Sequence, residues 1–214
     1  MSQNLDLKAI ERKAFRSFHQ DGLWDIYMGG LLLVLSLFFA IPESGEGELT
    51  YMGLALLGVA IVFAFFQLGK KYITAPRMGQ VKFGPERQKR KTTLAWIMGV
   101  FVLVTLGINL FSLYVWNATA SSQPIGLNLA PSLERAAVAS IAALIAGIST
   151  VVTSYFKEFT RGYYIALLMA FGFFFTLWLD STIPMIVAGA LILLPGLAVF
   201  AIFLRQHPLP PREG

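Results

Sequence analysis

His19, Asp21 and Asp25 fall within one seven-residue stretch and carry the imidazole and carboxylate groups from which metal sites and acid–base pairs are made. If a helix runs through Gly22, the two aspartates stand one turn apart on a single face, where like charges repel unless a cation answers them. The expected cations are a Lys or Arg from the long loop after the second apolar run, or Arg161. A divalent metal held by His19, Asp21 and Asp25 is the competing reading, on a spacing that many unrelated segments share.

A second chemistry-bearing group lies between residues 69 and 92, where eight Lys and Arg face a single acidic residue, Glu86. Arg77, Lys82, Arg87, Lys89, Arg90 and Lys91 have the donors to hold a phosphate, whether of a lipid headgroup or of a nucleotide. The same charges could instead serve only to fix membrane topology. Gly69-Lys70 lacks the upstream glycine of a phosphate-binding P-loop. A third group sits within apolar runs: Thr105, Asn109 and Ser112 recur at helical spacing, and Pro195-Gly196 interrupts the last run. Asn109 must find a hydrogen-bond partner on a neighbouring helix or line a cavity, and Pro195 removes one backbone hydrogen bond and kinks its helix.

Other chemistries are excluded or unsupported. The chain has no cysteine, which rules out disulfides, zinc–thiolate sites and thiol nucleophiles. The Asp-x-x-Asp-Gly pattern of membrane enzymes that transfer phospho-alcohols does not occur, nor does a His-Glu-x-x-His or Gly-x-Ser-x-Gly motif. No cofactor, resident metal or nucleic-acid partner is therefore expected.

The elements that position these groups follow from hydropathy. Of 214 residues, 56% are hydrophobic and 14% charged, against about a quarter charged in a soluble domain. Six apolar runs, residues 23–41, 51–68, 94–116, 136–156, 163–179 and 183–204, are each long enough to cross about 30 Å of hydrocarbon as a helix. The fold class is thus all-α, a polytopic bundle of six transmembrane helices. Sixteen of the seventeen Lys and Arg lie on one side of these spans, so the positive-inside rule places both termini in the cytoplasm. Trp24, Trp96, Trp116 and Trp178 all fall at span ends, where indole rings prefer to sit.

Residues 1–22 read as a cytoplasmic amphipathic helix, with Leu7, Ile10, Ala14 and Phe18 at spacings of three and four. Residues 23–204 form the membrane domain with its basic loop at 69–92, and residues 205–214 a proline-rich tail. Within the loop, Tyr72-Ile73-Thr74 and Gln80-Val81-Lys82-Phe83 flank Pro76 and Gly79, a pattern that suits a small β-hairpin between the second and third spans. In the fourth span Ala136, Ser140, Ala143, Gly147, Thr150 and Ser154 form a small-residue seam suited to close helix packing, with hydroxyls available to bond across it.

The run from Phe18 to Gly30, Phe-His-Gln-Asp-Gly-Leu-Trp-Asp-Ile-Tyr-Met-Gly-Gly, followed by Pro76-Arg77-Met78-Gly79-Gln80-Val81-Lys82-Phe83, resembles a pattern in small, uncharacterised prokaryotic multi-span membrane proteins. The resemblance covers two short stretches and the general layout. It implies a bacterial or archaeal cytoplasmic (inner) membrane and transfers no catalytic residue.

No ionisable residue falls near the middle of any span, so polar chemistry concentrates on the cytoplasmic face. The leading functional expectation is a non-enzymatic membrane protein whose basic face engages anionic lipid or a cytoplasmic partner protein, alone or as a homo-oligomer. A carrier or channel for a small neutral or apolar solute, built on Thr105, Asn109 and Pro195, is the alternative. A lipid-phosphate enzyme using Asp21 and Asp25 ranks third.

Overall fold

A computed structural model describes residues 20–40, 47–78, 85–119 and 131–208. Its helices are α1 (Leu23–Leu35), α2 (Glu48–Leu68), α3 (Ala75–Met78), α4 (Pro85–Thr119), α5 (Pro131–Phe156), α6 (Arg161–Leu179) and α7 (Ile183–Gln206). Helix α1 tightens into a 3-10 turn over Ser36–Ala40, and α2 widens into a π turn over Gly69–Thr74 before α3. Six helical segments are long and apolar enough to cross a membrane, α2, the π turn and α3 counting as one. The chain therefore has the architecture of a multi-pass membrane protein.

Several helix ends follow directly from local chemistry. Pro131 opens α5 and Pro184 lies in the first turn of α7, where the missing N–H costs nothing and the fixed φ suits a helix. Helix α5 stops in a Schellman turn: Phe159 N–H bonds Ser154 O at 2.9 Å, Glu158 N–H bonds Tyr155 O at 3.2 Å, and Glu158 takes φ 52. The apolar residue following the left-handed position is the one that packs inward in this motif. Here it is Phe159, only 1% exposed.

Neighbouring helices follow the order α2, α1, α7, α6, α5, α4. The core joins α1, α6, α7 and the α5–α6 turn through Leu32, Phe159, Ile165, Met169, Met185, Ala188 and Ile192. Helix α4 touches α5 only lightly and turns Trp96, Val100, Leu103 and Leu106 outward. An apolar surface of this kind suits lipid, which needs no polar cover.

The most extensive helix contact, α5 with α6, uses the small-residue seam. Gly147 lies against Ala170, and Gly162 against Ser154. The hydroxyls mostly do not bond across the interface. Ser140, Thr150 and Ser154 donate to the carbonyls of Ala136, Ala146 and Thr150 on their own helix, at 2.7, 2.8 and 2.7 Å. Only Thr150 also reaches a partner on α6, the Met169 sulfur at 3.3 Å. Back-bonding satisfies each hydroxyl without an aligned acceptor on the other helix.

The hairpin expected between the second and third spans is not formed at its first strand. Tyr72, Ile73 and Thr74 lie in the π turn, Gln80 to Phe83 fall outside the described residues, and no strand occurs among the described residues. The β-branched and aromatic side chains that suggested a strand are overridden by a tertiary demand. Lys70 and Thr74 both reach the buried Asp21 carboxylate, and residues four apart can do that only on a helical turn.

Candidate functional site

The residues with chemistry converge at one end of the bundle, where α1 starts, α2 ends, α4 starts and α5 turns into α6. Asp21 precedes α1 and is fully buried. Its Oδ1 accepts Leu23 N–H at 3.2 Å, and its Oδ2 accepts the Lys70 ammonium at 2.9 Å and the Thr74 hydroxyl at 2.6 Å. One turn later, Asp25 Oδ2 pairs with Arg161 Nη1 at 2.8 Å. The second guanidinium nitrogen, Nη2, donates to Gln20 O at 2.9 Å. Arg161 thus ties the start of α6 to both sides of the α1 N-terminus, a use of the forked donor that lysine could not match. Asp25 Oδ1 is buried and has no hydrogen-bond partner among the described residues.

This arrangement answers the repulsion between the two aspartates with two cations from two different elements. Asp21 already accepts three hydrogen bonds, His19 lies outside the described residues, and no cluster of three potential metal ligands occurs among the described residues.

Beside the two ion pairs stands an aromatic group. Trp24, Tyr27 and Phe66 have ring centroids 5.5, 5.2 and 4.9 Å apart pairwise. Two ammonium groups lie on it: Lys157 Nζ is 3.2 Å from the Trp24 ring centroid and Lys70 Nζ is 5.9 Å from that of Phe66. Burial, and then the nearby Lys70 and Lys91 charges, push the Lys157 amine down to about 7. The negative face of the indole acts in the opposite direction, favouring the charged form.

The remaining basic residues divide. Lys71, Lys89, Arg90 and Lys91 are exposed. Arg90 reaches Glu158 at 3.5 Å with its side chain 60% exposed. Exposed pairs of this kind contribute about 0.2–1 kcal/mol, so Arg90→Gln should leave the unfolding midpoint in detergent nearly unchanged; a loss above about 2 kcal/mol would contradict a surface role. Arg77 is turned to its own helix, donating to Ile73 O at 2.9 Å. Lys82 lies outside the described residues; Arg87 is in α4, but its side chain is outside them too. The six basic residues singled out from the loop are therefore not seen as one cluster.

Inside the spans, Thr105 donates to Phe101 O at 2.8 Å on its own helix. Asn109 lies in α4 with its side chain outside the described residues. Pro195 is within α7, and the following Gly196 receives the backbone of Asp25 and Ile26 at close range. The Pro-Gly step thus coincides with the place where α1 and its ion pair dock.

Sequence reasoning overlooked Thr74 and the Lys157–Trp24 contact. Both left a signal: Thr74 follows Lys70 by four residues, and Trp24 and Lys157 both flank spans on the basic side. No known protein family, curated protein or solved structure matches the chain.

Proposed function

We propose that this is a multi-span protein of a prokaryotic cytoplasmic membrane, with both termini cytoplasmic, which binds rather than catalyses and engages anionic lipid through its basic end. One observation carries the reading. At that end the carboxylates of Asp21 and Asp25 are buried against Lys70 and Arg161, while Lys71, Lys89, Arg90 and Lys91 remain exposed. A catalytic carboxylate pair would need to meet a substrate. Here the acids are spent on holding helices together and the exposed chemistry is cationic.

Each Lys or Arg near an anionic leaflet contributes about 1 kcal/mol of attraction. After reconstitution with brominated phosphatidylglycerol or brominated phosphatidylcholine, tryptophan quenching should report enrichment of the anionic lipid around the wild-type protein. Replacing Lys71, Lys89, Arg90 and Lys91 together by Gln should bring that enrichment close to unity. Unchanged enrichment in a correctly folded quadruple variant would count against the reading.

A further inference from the structure

Two lysines from two elements lie on the aromatic group: Lys70 in the π turn after α2, 5.9 Å from the Phe66 ring centroid, and Lys157 in the α5–α6 turn, 3.2 Å from that of Trp24. Three carboxylates described at this end of the bundle each pair with a cation other than Lys157. Asp21 meets Lys70, Asp25 meets Arg161, and Glu158 meets Arg90. Lys157 has no carboxylate partner among the described residues, and its ammonium lies over the face of Trp24. A half-buried ammonium with no carboxylate on it is a position that attracts an anion from outside these groups.

The depth of the site narrows the class of anion. Lys157 directly follows the last residue of the fourth span and Trp24 is the second residue of the first, which puts both at the level where indoles and phosphates meet. Lysine is a compact, point-charge binder of phosphate. We propose that Lys157, with Trp24 beneath it, receives a single phosphate group, supplied by an anionic lipid headgroup or by free phosphate. This rests on the reading of the basic end as an anion-binding face and goes beyond it by naming one seat.

The site has a pH signature. An anion stabilises the ammonium form of Lys157, whose amine is otherwise held at about 7, so binding above that pH takes up a proton and weakens as pH rises. The charged and titratable groups at this end of the bundle include Lys70, Lys91, Arg90, Arg161, Asp21, Asp25, Glu158 and Tyr27, which packs on Trp24. A lipid phosphodiester stays anionic from pH 7 to 9, so it reports changes in the protein.

The test uses the full chain in detergent, titrated with phosphatidylglycerol or phosphatidylcholine and read by native mass spectrometry as the affinity of the first bound lipid. Lys157→Gln should weaken the first phosphatidylglycerol about tenfold, the scale of one charge-assisted contact, while Lys157→Arg retains it. From pH 7 to 9 the wild type should lose affinity and Lys157→Arg should not. Displacement of phosphatidylglycerol by millimolar inorganic phosphate would identify a seat for free phosphate; failure to displace it, with lipid binding still dependent on Lys157, would identify the headgroup. Wild-type affinity in a folded Lys157→Gln, checked by circular dichroism, overturns the seat. If a Lys71→Gln, Lys89→Gln, Arg90→Gln variant then still loses the preference for phosphatidylglycerol, the broader reading survives. If the wild type itself does not distinguish phosphatidylglycerol from phosphatidylcholine, both fall.

Discussion

Asp21→Asn should destabilise the bundle by about 3–5 kcal/mol, the range for removing one partner of a buried ion pair. The substitution keeps shape, removes the charge that faces Lys70, whose side chain is 11% exposed, and turns one acceptor into an amide donor that must face either Leu23 N–H or Lys70 and Thr74. The desolvated ammonium then meets a neutral amide. Lys70→Met should cost a similar amount by stranding the fully buried carboxylate. The double variant Asp21→Asn, Lys70→Met should be more stable than the sum of the two losses implies, by about 0.5–3 kcal/mol of coupling. Unfolding in mixed micelles, followed by circular dichroism, measures all four proteins. Strict additivity would mean that the 2.9 Å contact carries no energy of its own.

That pair also marks where the sequence stops being legible. The six spans are readable because an apolar run is a local property, and each lies within or nearly matches a described helix. The repulsion between Asp21 and Asp25 was readable for the same reason: it depends only on two positions one turn apart. Which cations answer it depends on helix neighbours far apart in the chain, with Lys70 and Arg161 entering from separate elements. The segment after the second span was misjudged because Tyr72, Ile73 and Thr74 have strand preferences, while a π turn continues from Leu68 to place Lys70 and Thr74 beside a buried acid. Local propensity differs by only tenths of a kcal/mol per residue, and a buried charge-assisted bond outweighs it.

Gly29→Ala and Gly196→Ala should each destabilise the bundle by about 1–3 kcal/mol or more, as overpacking does in a well-packed interior, although alanine is the better helix former. A Cβ at Gly29 would lie 2.7 Å from Leu193 N and 2.8 Å from Gly189 O; one at Gly196 would lie 2.7 Å from Asp25 Cβ and 3.0 Å from Ile26 N. Nearly all these neighbours are backbone or near-backbone atoms that cannot rotate away, so α1 and α7 must separate. The seam repeats at matched intervals of seven: Gly22 meets Gly196 and Gly29 meets Gly189, so the two helices touch backbone to backbone along two turns. Gly22 is constrained further, since its φ of 86 is a left-handed conformation that other residues adopt only at a cost. Gly99→Ala is the control, because its Cβ would enter open space and should be neutral or gain up to about 1 kcal/mol. If Gly29→Ala behaves like Gly99→Ala in the same unfolding assay, the close approach is not what holds α1 in place. The seam and the ion pairs should also be coupled. The Cβ of Gly196→Ala pushes on Asp25, displacing it from Arg161, so Gly196→Ala combined with Arg161→Gln should cost less than the two changes separately. Additive losses would show that the glycine contact and the Asp25–Arg161 pair hold α1 independently.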